Sequence, residues 1–362
     1  MMLALRSDVV RSFYRKMADA GERRRRGRFA IAATETPGPR PTIYFLTPDY
    51  QIPSGGVRVI YRHVDILNAA GMRAFVLHYR PGFRCAWFEN GTKVTDLPST
   101  VLHGGDLLVV PEVDVDLLAR LRPGIRHVIF NQNSHFTWRR SADVARFYAP
   151  RPDLAGVVAV SRHNQQMLRD AFPGCEVGRV RLGIDPDLFR AGDLPRPRRI
   201  SYMLRRDRGD AWQVLQMLRG KGMFEGWEVA PLAGLSQAEL ARQLRETSIF
   251  LSFTYQEGFG LPAAEAMACG CYVIGNHGFA GREFFRPEFS APIEAGDVPG
   301  FVRAVETALT NEGHQPGWCA ERGRQASGFI RSRYSLAQER EDVTATYAAF
   351  LDVRAQRQVA GA

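Results

Sequence analysis

Short runs of β-branched and aromatic residues alternate with stretches of helical spacing along most of this chain, and that alternation constrains its fold more than any other feature. The first unit shows the pattern. Thr42–Leu46 reads as a strand, a Pro/Gly loop follows, and Val57, Ile60, Tyr61, Val64 and Leu67 then recur at helical spacing until Gly71. Further strands are predicted at Ala74–His78, Leu107–Val110, His127–Asn131, Gly156–Val160 and Val180–Leu182, with helices over Val115–Leu121 and Ser161–Phe172. Strands alternating with helices give a parallel sheet covered on both faces, so the expected class is α/β.

The alternation lapses over 186–199, PDLFRAGDLPRPRR, which is rich in proline and charge and has no period. We read it as an interdomain linker. Beyond it the pattern resumes, with strands at Ile200–Met203, Trp227–Ala230 and Ile249–Phe253 and helices at Asp210–Leu218 and Gln237–Glu246. Ser236 and Glu239 have the spacing of a capping box at the start of the second of these helices. Leu336–Val353 also reads as helical. At 362 residues and 45% hydrophobic content, the chain can bury more than one core. The expected division is a basic segment 1–30, a first domain 31–185, the linker 186–199, a second domain 200–335 and a C-terminal segment 336–362 whose helix can pack back on the first domain. Two such lobes enclose a cleft, a favoured location for a ligand.

Charge is unevenly distributed. The net charge is +10, and residues 1–30 supply +6 of it, from nine Arg or Lys against Asp8, Asp19 and Glu22. Residues 1–28 place Leu3, Val10, Phe13, Tyr14 and Met17 on one side of a helix, with the run Arg23–Arg26 after it. Such a segment suits an anionic membrane surface; it reads equally as a solvated tail. Nucleic acid is not an expected partner, because the basic excess is confined to this segment and no recognition motif accompanies it. Cys85, Cys175, Cys269, Cys271 and Cys319 form no CxxC pair and have no histidines at zinc spacing, which points to neither a disulfide framework nor a zinc site. No apolar run reaches the roughly 20 residues of a membrane span, and the opening MMLALRSDVVRSF carries charge where a signal peptide would be apolar. The expected location is the cytoplasm, with peripheral attachment to the inner face of the membrane if the basic segment binds it.

The most informative segment is Glu257-Gly-Phe-Gly-Leu-Pro-Ala-Ala-Glu265-Ala-Met-Ala-Cys-Gly270, directly after the apolar strand at Ile249–Phe253. Pro262 suits the first position of a short helix Pro262–Cys269, and Gly270 suits the residue just past its end. Gly258 and Gly260 leave the preceding loop open to close backbone approach. The N–H groups of Phe259, Gly260 and Leu261, together with the positive end of the helix dipole, would then face the cleft and favour a diphosphate. Both glutamates also read as acidic residues that simply favour a helix start.

This block resembles the E-x7-E signature of retaining GT-B glycosyltransferases, especially the large family-4-like bacterial group that builds envelope polysaccharides. Its continuation, Cys271-Tyr-Val-Ile-Gly-Asn-His-Gly-Phe-Ala-Gly-Arg-Glu283, is similar to the strand and glycine turn that follow in that family. The resemblance extends over about 42–350 and is specific mainly over 200–285. It implies a GT-B architecture of two Rossmann-like parallel-sheet domains, with Glu265 on the nucleotide ribose and Glu257 on the donor sugar. It also implies that the basic pair Arg205-Arg206, just after the strand at Ile200–Met203, meets the diphosphate, although the usual spacing of Arg and Lys differs here. Cations at that place stabilise the departing nucleotide when no metal is bound. In the first domain, Pro53-Ser54-Gly55-Gly56 matches the family's glycine loop, and His135, in Asn131-Gln-Asn-Ser-His135, resembles its donor-contacting histidine. Ser161 and Gly183-Ile184-Asp185 match positions that read as architecture.

Asp114 and Asp116 invite a metal-binding reading, but they open a helical pattern where acidic residues are favoured, and the resemblance implies no metal and no cofactor. The expected activity is transfer of a sugar from a nucleoside diphosphate donor to a glycan or lipid-linked acceptor, with retention, in envelope polysaccharide or lipopolysaccharide synthesis. A sugar-nucleotide epimerase shares such a fold, and a non-catalytic sugar-nucleotide or glycan-binding partner is a second alternative. A nicotinamide oxidoreductase fits less well, since no GxGxxG follows the first strand.

Overall fold

Ile43–Leu46 is four apolar residues in a row, all buried, and burial on both faces is what a central parallel strand requires. Around it the structure, a computed structural model that describes residues 26, 29–139, 143–192, 195–204 and 208–360, forms two open parallel sheets. In chain order the first half contains β1 (Ala32–Ala33), β2 (Ile43–Leu46), β3 (Ala74–His78), β4 (Val94–Asp96), β5 (Val101–Leu102), β6 (Leu107–Pro111), β7 (Arg126–Asn131), β8 (Leu154–Ala159) and β9 (Val177–Arg179). Seven of these make one sheet, in the order β4-β3-β2-β6-β7-β8-β9, while β1 and β5 pair separately. Helices α1 (Gly55–Ala69), α2 (Ala145–Tyr148) and α3 (Arg162–Ala171) belong to this half.

The second half is a five-stranded sheet, β11-β10-β12-β13-β14, built from β10 (Arg199–Tyr202), β11 (Glu228–Pro231), β12 (Ile249–Ser252), β13 (Tyr272–Asn276) and β14 (Ser290–Ile293). Its helices are α4 (Arg208–Gly220), α5 (Gln237–Arg245), α6 (Leu261–Ala268), α7 (Val298–His314) and α8 (Trp318–Arg333). In both sheets order reverses beside the first strand, and ligands of open α/β sheets settle outside the carboxyl ends of strands at such a switch point. The capping box at Ser236 and Glu239 is formed, with Glu239 N–H on Ser236 Oγ and Ser236 N–H on Glu239 Oε2.

The last helix, α9 (Leu336–Ala360), crosses back to the first sheet. Tyr347 is fully buried against Phe45, with ring centroids 5.1 Å apart. Glu339, with no exposed surface, accepts from Arg62 Nη2 at 2.9 Å and from Gly183 N at 3.1 Å, and lies 3.3 Å from His63 Nε2. Arg181 forks onto both oxygens of Asp342 at 2.8 Å. The turn Gly183-Ile184-Asp185 is thus architecture: Ile184 N donates to Tyr334 O, and Asp185 caps the amide of Asp187.

Three expectations are corrected. The strand predicted at Val180–Leu182 lies at Val177–Arg179; Val180 adds one further bond to Ala159 O at 2.9 Å, and Val180 and Leu182 are packed in the core beyond the strand's end. The helix predicted over Val115–Leu121 is a 3-10 run from Glu112 to Arg120, broken at Asp114, whose φ is −132°. Arg26, read as part of an exposed basic run, is 3% exposed; its Nη1 lies 2.7 Å from both oxygens of Asp114, and its guanidinium sits over Tyr79. The rest of the proposed basic helix, 1–25 and 27–28, lies outside the described residues. No described helix is long and apolar enough to cross a membrane.

Candidate active site

Two helix starts face each other between the sheets. Helix α1 begins after Ser54, which is extended and makes no side-chain cap, so the amides of Gly55 and Gly56 open its first turn. Helix α6 begins after Gly260, whose φ of 98° is a left-handed conformation that favours glycine. Pro262 occupies its second position, one later than expected. Both helix starts line one open cavity, together with Thr47, Glu112, Gln132, Asn133 and Glu257. A small recess, lined by Met203, Phe253, Thr254, Glu257 and Gly260 among others, adjoins it towards the end of β10.

The glycines permit this approach in a specific way. A Cβ on Gly55 would lie 3.0 Å from Leu261 Cδ1, and one on Gly56 would lie 3.2 Å from Gln132 Oε1. One on Gly258 would overlap the carbonyl oxygen of Gln132, which follows β7 in the opposite half. The loops therefore touch across the cleft as well as facing it.

Of the residues singled out in the sequence, Gly55, Gly56, Glu257, Gly258, Phe259, Gly260 and Leu261 all line this cavity. The ring of Phe259 is 3% exposed and packs on Phe284 and Tyr334 at 5.3 and 5.2 Å. Glu257 is 9% exposed; it accepts from Thr254 Oγ1 at 2.9 Å, and its amide donates to Gly278 O at 3.0 Å. Glu265 departs from expectation. It does not line the cavity, and its Oε1 is held by Arg58 Nη2 of α1 at 2.9 Å, an ion pair that spans the two halves. A ribose reaching Glu265 must share or displace that guanidinium.

His135 stands beside the cavity without lining it, its Nε2 3.1 Å from His163 Nε2 and its ring 5.4 Å from Phe279. Burial, then the charge of Arg282, hold His163 below the ordinary histidine value and so favour its neutral form. Arg205 and Arg206 lie outside the described residues. Ser161 caps α3 by accepting from Asn164 N at 3.1 Å, an architectural role. Asp114 is buried on Arg26 while Asp116 is exposed, so the two carboxylates do not converge.

Four residues at the cleft escaped the sequence reading. Arg58 had no visible signal, because its partner is 207 positions away. Gln132 and Asn133 lie between Asn131 and His135 but carried no sequence sign of reaching the other half. Glu112 had one: it follows a fully buried apolar strand at the carboxyl end, where cleft residues of such sheets emerge. Its carboxylate accepts from Gln132 N at 3.0 Å, and burial pushes its pKa up to about 7.

Two facing Rossmann-like parallel sheets with the cavity between them define the GT-B fold. The structure is similar to sucrose-phosphate synthase from Thermosynechococcus elongatus, with a TM-score of 0.66 at 13% identity over 87% of this chain and 100% of that one. It is also similar to Anabaena Alr3699/HepE, solved in complex with UDP and glucose, with a TM-score of 0.62 at 13% identity over 86% and 100% of the two chains. Within that fold, residues 229–326 match the family described as glycosyl transferases group 1. The sequence is 26% identical over 237 residues to an alpha-1,6-glucosyltransferase of Actinobacillus pleuropneumoniae serotype 7 (strain AP76), covering 62% of this chain and 70% of that protein.

Proposed function

We propose that the chain is a glycosyltransferase that moves a sugar from a nucleoside diphosphate donor to a glycan or lipid-linked acceptor, with retention at the anomeric carbon and without a metal. The observation that carries this reading is the convergence of two helix starts and the Glu257 carboxylate on one cavity. Backbone amides at a helix N-terminus, aided by its dipole, suit a pyrophosphate. The matched family segment, 229–326, contains the α6 half of that arrangement.

In this reading the donor diphosphate lies against the turn from Gly258 to Leu261, and the nucleotide extends from it towards the end of β10 and Glu265. Arg205 and Arg206, which follow β10 in sequence, supply positive charge to the leaving diphosphate. Glu257 orients the donor sugar and Glu265 accepts from the ribose once Arg58 yields. The enzyme contributes placement and charge stabilisation, and a well-oriented pair of reactants needs little else. The acceptor enters from the side of Thr47, Glu112 and Phe136.

The test is release of nucleoside diphosphate from sugar nucleotides with and without saccharide acceptors, with the product anomer assigned by NMR. Release only when acceptor is present, with the donor's anomeric configuration kept, is expected. Donor turnover without acceptor would indicate the epimerase instead, and an inverted product would remove retention.

A further inference from the structure

The loop carrying Glu257 is held from the other half of the molecule as well as from its own. Gln256, immediately before it, has φ of 52°, a left-handed conformation uncommon for a residue with a side chain. Its carbonyl accepts from Asn133 Nδ2 at 2.8 Å, across the cleft. Asn133 is 5% exposed, and its amide is used at both ends: Oδ1 accepts from the amide of His135 at 3.1 Å within its own loop. Behind it, the Gln132 amide is fixed on Glu112 Oε2 at 3.0 Å. On the far side, Gly258 sits so close to Gln132 and Asn133 that a Cβ there would overlap the Gln132 carbonyl. The two residues flanking Glu257 are therefore both docked on the segment after β7.

We propose that Asn133 is a positioning residue that sets the Glu257 carboxylate from the opposite domain, so that the loop is in working order only when the cleft is closed. The proposal rests on the reading of Glu257 as the donor-sugar contact. A hydrogen bond across a closing cleft forms only in the closed state, which links closure to the placement of the reacting group. A displacement of about 1 Å in such a group costs on the order of 100-fold in rate. The side-chain amide suits this place because it accepts from the His135 amide and donates to the Gln256 carbonyl at once.

The experiment compares Asn133→Ala, Asn133→Asp and Glu257→Ala in the full chain, measuring transfer kinetics, nucleoside diphosphate binding and hydrogen exchange at Gln256 to Gly258. Aspartate keeps the acceptor for His135 and cannot donate to Gln256, so it separates the two contacts. In both Asn133 variants kcat should fall by about 10- to 100-fold. The donor KM and nucleotide binding should stay close to wild type, the unfolding midpoint of the aspartate variant should not move, and the Glu257 loop should exchange faster. Asn133→Asp with a wild-type kcat, beside an inactive Glu257→Ala, overturns the proposal alone. A variant that loses nucleotide binding and folding stability together with kcat also overturns it, since that marks a merely structural role. Glu257→Ala at the wild-type rate overturns the reading of the site, and this proposal with it.

Discussion

Glu112 shows how a single side chain can bind folding to pH. Its carboxyl is buried beside the cavity, and desolvation, only partly offset by backbone donors such as the Gln132 amide, moves its pKa from the ordinary 4.5 to about 7. Because the folded value is raised, its contribution to stability is fully present below the unfolded pKa and is lost as pH rises through the folded one. Between pH 4.5 and 7 the native chain holds a proton that the unfolded chain releases, so stability falls across that window. Glu112→Gln removes this dependence while keeping an acceptor for Gln132. Urea unfolding of both forms at several pH values should show the variant gaining on the wild type from pH 4.5 to 7 and holding the difference above it. A constant difference across the range would show that Glu112 titrates normally.

Residues also mark where the sequence was legible. Glu257 and the glycines of its loop could be placed because their spacing within one segment is itself the signal. Arg58, Asn133 and Arg26 could not, because each draws its meaning from a partner far along the chain: Glu265, Gln256 and Asp114. A basic run predicts exposure on average, and Arg26 departs from it because a single buried carboxylate was within reach.

At the scale of elements, the central strands of both sheets were legible because parallel strands buried on both faces are continuously apolar and bounded by turns; the edge strands β4 and β14, short and only partly buried, left no such pattern. Helix α8 was not. Its buried face is Cys319, Gly323, Ala326, Ser327 and Ile330, mostly small residues, and a Cβ on Gly323 would collide with the carbonyl of Gly270 at the end of α6. That face is periodic in size, not in hydrophobicity, so it leaves a weak pattern. Helix α9 was expected, and what holds it is Glu339. Burial alone would raise this carboxyl, but His63 and Arg62 together hold it below its usual value. Glu339→Ala strands those two groups, one of them fully buried, and removes the acceptor of the Gly183 amide. Removing one partner of a buried pair typically costs about 3 kcal/mol or more. Denaturant unfolding should register a loss of that size; a change below about 1 kcal/mol would show that apolar packing around Tyr347 holds α9 by itself.

For the molecule as a whole, two sheets with closely packed facing loops make a cleft that is already nearly closed. Arg58 on Glu265 and Asn133 on Gln256 link the halves at either side of the α6 start. Fold and cleft were legible from the alternation of elements and from one motif; the closed contacts were not, because they exist only once both halves are folded and facing. In the proposed function this cleft binds a nucleoside diphosphate through the α6 start and Glu265. Calorimetric titration of a panel of nucleoside diphosphates into the wild-type chain and Glu265→Ala tests it most directly. At least one should bind the wild type, and the variant should bind it about 10-fold or more weakly, a loss of about 1.4 kcal/mol. Binding of none of the panel, or equal affinity in the two chains, would contradict it.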